Sequence, residues 1–132
     1  MILVDTNVLV DVVEDDAQWA EWSVQALRAQ AQAHELAINV VVYAEFSLAF
    51  RTIEALERAV AELGLKLLEI PRPALFLAGK AFLRYRQAGG VRSNVLPDFF
   101  IGAHASVAGM ALLTRDAARY RSYFPALSLL TP

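Results

Sequence analysis

Four carboxylates in this 132-residue chain differ in setting from its other acids. Asp5 follows the apolar triplet Ile2-Leu3-Val4, and Asp116 follows the apolar run 110–113 through Thr114-Arg115. Asp98 comes after Pro97 and before Phe99-Phe100-Ile101. Glu45 has Val41, Val42, Leu48 and Ala49 at helical spacing, where a solvent-facing glutamate would have polar neighbours. An ionised carboxylate in apolar surroundings is costly unless it is paired or binds a metal. The remaining acids sit in polar company, as in Glu14-Asp15-Asp16 or around Glu54 and Glu57.

Each of the four has an ordinary explanation when taken alone. Asp5 and Asp116 would cap helices, and Asp98 would complement a helix dipole for about 0.3–1 kcal/mol. Glu45 would pair with an arginine. Taken together they point to one site. Clustered carboxylates repel each other and call for counter-charge. The chain has no cysteine, so a hard cation with oxygen ligands, Mg2+ or Mn2+, is the natural choice. Such a cation activates water and stabilises charge on a scissile phosphate, which suits phosphodiester cleavage. His104 falls off the helix face of Asp98 and reads as a core or surface histidine. His34 sits near a helix end and takes no catalytic role.

The elements that must position these acids alternate between strand and helix. Residues 2–4, 36–40, 65–70, 110–113 and 127–130 read as short, apolar strands. Between them, helices are expected over 8–13, from Asp15-Asp16 to about 33, over 41–49, over 52–63 closed by Gly64, and over 74–88. A further helix begins at Pro97 and runs to about Gly109, and a short one covers 116–123. Continuously apolar strands alternating with helices imply a parallel sheet covered on both faces. Ligands of such sheets bind beyond the carboxyl ends of the strands. Asp5 and Asp116 each follow a strand directly, Asp98 opens a helix entering that layer, and Glu45 lies on the helix after the second strand.

Length implies one domain, and 57% hydrophobic residues can form a full core. The apolar start is broken by Asp5, too early for a signal-peptide core, and no apolar run reaches the roughly 20 residues of a membrane span. A cytoplasmic protein is expected. The net charge of −2 conceals an asymmetry: residues 1–69 hold 12 acids and 4 bases, whereas residues 70–132 hold 2 acids and 8 bases. Either the halves attract each other within one fold, or the basic half faces an anionic partner. In the second case Arg84, Arg86, Arg92, Arg115, Arg119 and Arg121 would hold a nucleic-acid backbone.

The acids sit in recognisable contexts. Asp5-Thr6-Asn7 in VDTNVLVD, Glu45 in VVYAEF, Asp98 in VLPDFFIGAHA and Asp116 in LLTRD resemble the four acidic motifs of PIN-domain ribonucleases. More closely, they resemble those of VapC-type toxins from toxin–antitoxin pairs, over nearly the whole chain. The resemblance implies an α/β fold, a three-layer α/β/α sandwich with a central, mainly parallel sheet of 4–5 strands. It implies an Mg2+- or Mn2+-dependent endoribonuclease that cuts RNA with a metal-activated water. Asp5 and Asp98 would be direct metal ligands, Asp116 a ligand directly or through water, and Glu45 a tuning residue or ligand of a second ion. Thr6, Asn7 and Thr114 would orient the acids by hydrogen bonds. A homodimer and a VapB-type antitoxin lying near the active site are also implied. Trp19, Trp22, Phe46 and Phe50, with Phe76, would line an antitoxin groove or dimer contact, with core packing as the alternative for each.

Three other functions compete. One is a PIN-like RNA-processing nuclease without a toxin role. Another is an aspartyl-phosphate phosphatase or phosphotransferase with Asp5 as nucleophile. It would want an aspartate where Asn7 stands and a well-placed lysine, and the chain offers only Lys66 and Lys80. The third is a non-enzymatic binding domain, which the presence of all four acids argues against.

Overall fold

Strand β1 (Ile2–Val4) is buried throughout, as its apolar triplet requires of a strand covered on both faces. In this computed structural model, which describes residues 1–92 and 94–132, β1 pairs in parallel with two neighbours. These are β2 (Leu36–Asn39) on one side and β4 (Ala111–Leu113) on the other. Beyond β2 lies β3 (Leu65–Leu68), and beyond β4 lies β5 (Leu129–Leu130). The sheet order is β3-β2-β1-β4-β5, every pairing is parallel, and helices cover the faces in an α/β/α sandwich.

Among the described residues seven α-helices connect the strands: α1 (Thr6–Val13), α2 (Ala20–Ala31), α3 (Val40–Phe46), α4 (Ile53–Glu62), α5 (Arg72–Gln87), α6 (Leu96–Ala108) and α7 (Ala118–Tyr123). The chain runs outward from β1 through β2 to β3, then returns to the other side of β1 as β4 and β5. The order therefore reverses between β1 and β4. At such a switch point the helices leave in opposite directions and a crevice opens beyond the strand ends. Val4 is in register with Leu113, and the Asp5 N–H donates to the Leu113 carbonyl at 2.9 Å. The residues just past each strand, Asp5 and Thr114, thus meet in that crevice.

Helix α6 holds the back of it. Pro97 sits in its first turn, where a missing N–H costs nothing, and Gly109 closes it at φ +67° in the left-handed region. Phe99, fully buried, meets Phe82 and Tyr85 of α5 on one side and Tyr123 and Phe124 on the other, with ring centroids 5.2–6.3 Å apart. Among the described residues no helix is long and apolar enough to cross a membrane.

Several boundaries differ from the sequence expectation, each for a local reason. The α2 helix starts at Ala20 rather than at Asp15-Asp16, because the Asp16 carboxylate accepts from the N–H groups of Gln18 and Trp19 at 2.9 Å and folds a turn first. Strand β2 ends at Asn39, whose side chain accepts from the N–H groups of Val41 and Val42 at 3.0 Å and so starts α3 without a loop. The helix expected over 41–49 is α3 followed by a 3-10 turn at Ser47–Ala49. The last helix begins at Ala118, so Asp116 does not cap it. Strands β3 and β5 are shorter than expected, each by two residues.

Candidate active site

Asp5 is 4% exposed and is the N-cap of α1. Its Oδ1 accepts from the Thr6 N–H at 2.8 Å. Its Oδ2 accepts from the Thr114 hydroxyl at 2.8 Å, the Tyr120 hydroxyl at 2.9 Å and the Asn7 amide at 3.4 Å. Burial pushes this carboxyl up to about 6, opposed by the Thr114 hydrogen bond and assisted by the Asp98 charge. At neutral pH it is mostly ionised. Asn7 also donates to Thr114 Oγ1 at 3.3 Å and accepts from the Arg115 N–H at 3.3 Å, so it ties the start of α1 to the segment after β4.

Glu45 reaches the same place from α3. The Thr6 hydroxyl donates to its Oε1 at 2.7 Å, and burial, with the Asp98 charge adding, raises its carboxyl. Its placement depends on Asn39, which is fully buried and sets where α3 begins. The Asn39 amide in turn donates to His104 Nδ1 at 3.2 Å. Burial lowers the imidazole, so His104 is a neutral core histidine and no part of the acid site.

Asp98 projects from the first turn of α6 and forms an ion pair with Arg119 of α7. Burial raises its carboxyl, Arg119 opposes the rise, and Asp116 adds to it. Asp5, Glu45 and Asp98 line one open cleft with Thr6, Asn7, Val10 and Arg115. Asp116 is exposed and not among the lining residues. Its N–H donates to Thr114 Oγ1 at 3.1 Å, and its charge is felt at Asp98.

The cleft is rich in oxygen donors with raised, mutually repelling carboxyls, which fits a hard divalent cation. Among the described residues, however, no three Asp, Glu or His side chains are gathered tightly enough to hold one as they stand. Arg119 engages Asp98, Thr6 engages Glu45, and three donors converge on one oxygen of Asp5.

The structure reassigns several residues. Arg115, expected to contact RNA, lines the cleft but is committed to Asp11: its Nε and Nη2 lie 2.8 and 3.1 Å from the two carboxylate oxygens. Asp11 is 2% exposed and also accepts from the Ser23 hydroxyl at 2.9 Å. Stripping it of its partner would leave a buried charge, a loss of about 3–5 kcal/mol. The guanidinium of Arg115 is therefore a clamp rather than a free phosphate contact. Arg84 donates to the Tyr123 carbonyl at 3.4 Å, Arg86 lies over the Phe82 ring, and Arg92 is exposed; none of the three lines the cleft.

Phe46 is fully buried and meets Phe50 edge-on, so it is core and not groove. Phe50 borders a separate hollow with Tyr43, Arg51 and Ile53. Trp19 and Trp22 meet edge-on, and Arg115 lies 5.5 Å over the Trp19 ring. The apolar groove between α1, α2 and α4, bordered by Val12, Val24, Leu27, Arg28 and Leu63, contains none of the four aromatic residues.

Sequence reasoning missed Asp11, Asn39 and Tyr120, and gave Arg119 a different partner. Asp11 has Asn7, Glu14 and Asp15 at helical spacing, polar company that hides its burial. Asn39 was visible as an N-cap type at the end of an apolar strand. Tyr120 had no local signal, since its partner is 115 residues away.

The sequence model of the PIN domain matches residues 2–124. No curated protein matches the chain. Among solved structures, the chain is similar to VapBC2 from Rickettsia felis bound to a DNA fragment from their promoter, with TM-score 0.75, 20% identity, and 99% and 98% of the two chains covered. It is similar to FitAcB from Neisseria gonorrhoeae at TM-score 0.73, 20% identity, and 98% and 96% coverage. VapBC-1 from nontypeable Haemophilus influenzae matches at TM-score 0.74 and 18% identity, with 99% and 98% covered. At such identity these likenesses establish the fold.

Proposed function

The chain belongs to the PIN domain family, and we propose that it is a metal-dependent endoribonuclease, the toxin of a VapBC-type toxin–antitoxin module. The observation that carries the reading is the cleft at the β1/β4 switch point, where Asp5, Glu45 and Asp98 converge from three elements. Asp5 and Asp98, with Asp116, would hold Mg2+ or Mn2+, and Glu45 would tune the site or hold a second ion. When bound, the cation supplies a lowered pKa for water and stabilises charge on the scissile phosphate.

The chain's own groups do the rest. Thr114, Tyr120 and Asn7 hold Asp5 in place through Oδ2. Thr6 holds Glu45 through Oε1, which leaves Oε2 to take a proton from an attacking water; burial raises its carboxyl and makes that oxygen the stronger base. The exposed Arg84, Arg86, Arg92 and Arg121 would meet the RNA backbone electrostatically.

The solved structures similar to the chain include a toxin–antitoxin complex and a member of the VapBC family of toxin–antitoxin systems, which supports a VapB-type partner, and a homodimer is proposed with it. The phosphatase alternative fares worse. Asn7 ties Asp5 to Thr114, and neither Lys66 nor Lys80 lines the cleft. The test is RNA cleavage by purified protein with and without Mg2+ or Mn2+. Asp5→Asn and Asp98→Asn should each lower the rate by a factor of a hundred or so or more while the fold persists. Undiminished cleavage in both variants would sink the mechanism. Growth arrest on expression, relieved by the product of an adjoining antitoxin gene, would test the toxin role.

A further inference from the structure

Tyr120 is 2% exposed, and its hydroxyl lies 2.9 Å from Asp5 Oδ2. Packing alone does not require that hydroxyl, because phenylalanine would fill the same space, and a buried O–H is a cost unless it is bonded. The way its ring enters is specific. A Cβ on Gly102 of α6 would lie 2.6 Å from the Phe124 ring and 3.0 Å from the Tyr120 ring. The missing side chain therefore lets α7 lie against the backbone of α6 and brings the phenol to the end of β1.

The consequence is an uneven carboxylate. Oδ2 receives donors from the residue after β4 (Thr114), from α7 (Tyr120) and from α1 (Asn7), whereas Oδ1 receives the Thr6 N–H alone. Each carboxylate oxygen has about two accepting positions. Oδ2 is filled, and Oδ1 retains one. Turning the carboxylate would break the two short bonds to Thr114 and Tyr120. The Asn7 contact, at 3.4 Å, would hold it weakly by itself.

We propose that Tyr120 is a positioning residue of the acid cleft, seated by Gly102, whose hydroxyl fixes the Asp5 carboxylate so that Oδ1 is the oxygen open to a divalent cation. The proposal rests on the nuclease reading above and adds a residue to it. The test is Tyr120→Phe, which keeps the ring and the packing. Calorimetric titration with Mn2+ should show affinity weakened roughly tenfold or more, the scale on which partners of metal ligands act. Its kcat for RNA should fall while KM stays near the wild-type value, in a preparation whose thermal unfolding curve shows it fully folded at the assay temperature. Metal-free crystal structures of the two proteins should show the Asp5 carboxylate rotated in the variant. Mn2+ affinity within about twofold of wild type, or an unrotated Asp5, overturns the proposal. A wild-type chain that binds no Mn2+ would defeat the nuclease reading instead, and the orientation of Asp5 would then decide the role of Tyr120.

Discussion

At the scale of single residues, the cleft is a compromise between burial and charge. Asp5 is held by donors suited to an anion, yet burial leaves its carboxyl at about 6 against an ordinary 3.8. The folded state therefore prefers the protonated form more than the unfolded chain does. The stability this contributes is complete below the unfolded pKa of 3.8 and is lost as pH rises through about 6. The gap corresponds to roughly 3 kcal/mol, and the raised carboxyls of Glu45 and Asp98 act in the same direction. The metal-free protein should accordingly lose thermal stability between about pH 4 and about pH 7, and Asp5→Asn should flatten that loss. Scanning calorimetry of both proteins in chelator across this range checks it; parallel curves would show that Asp5 is not the group responsible.

At the scale of elements, short side-chain caps place the acids more than helix propensity does. Asn39 ends β2 and starts α3 in one residue, and so fixes the turn on which Glu45 stands. Asn39→Ala should cost about 2 kcal/mol, from the lost cap and the unpaired His104 nitrogen. RNA cleavage should fall with it, since Glu45 loses its reference. Denaturant unfolding with parallel rate measurements tests both effects, and a destabilised but fully active variant would show that Thr6 alone holds Glu45. The Asp11–Arg115 clamp works similarly between α1 and the segment carrying Thr114 and Asp116. Neither its carboxylate, with Asn7, Glu14 and Asp15 at helical spacing, nor its partner 104 residues away was legible in the sequence.

At the scale of the whole molecule, the charge asymmetry is only partly spent within the fold. Among the described residues one ion pair, Asp11–Arg115, joins the acidic half to the basic one, and Arg119–Asp98 lies within the basic half. Arg84, Arg86, Arg92 and Arg121 stay exposed, as an anionic partner requires. The acid cleft, in contrast, has among the described residues only Arg119, paired with Asp98, and Arg115, committed to Asp11, as counter-charge. Mn2+ should therefore raise the melting temperature in proportion to the logarithm of its concentration, by a stabilisation of about 2.7 kcal/mol at 100 times Kd. The rise should vanish in a double Asp5→Asn, Asp98→Asn variant. A rise of equal size in that variant would place the cation elsewhere.

What the sequence determined by itself was local or patterned. The apolar triplet of β1, Pro97 and Gly109 at the ends of α6, and Thr52 before α4 all act through neighbours a few residues away, and all fell close to where they were expected. The motif spacing also marked three of the cleft's carboxylates in advance. Tertiary structure alone decided the rest. The reversal of strand order set β1 against β4 and so put Thr114 on Asp5; Gly102 admitted Tyr120; Arg115 was drawn to Asp11 and Arg119 to Asp98. These choices depend on side chains that meet only after the sheet is assembled. An arginine's partner is set by which carboxylate is left buried beside it, and no periodicity along the chain records that.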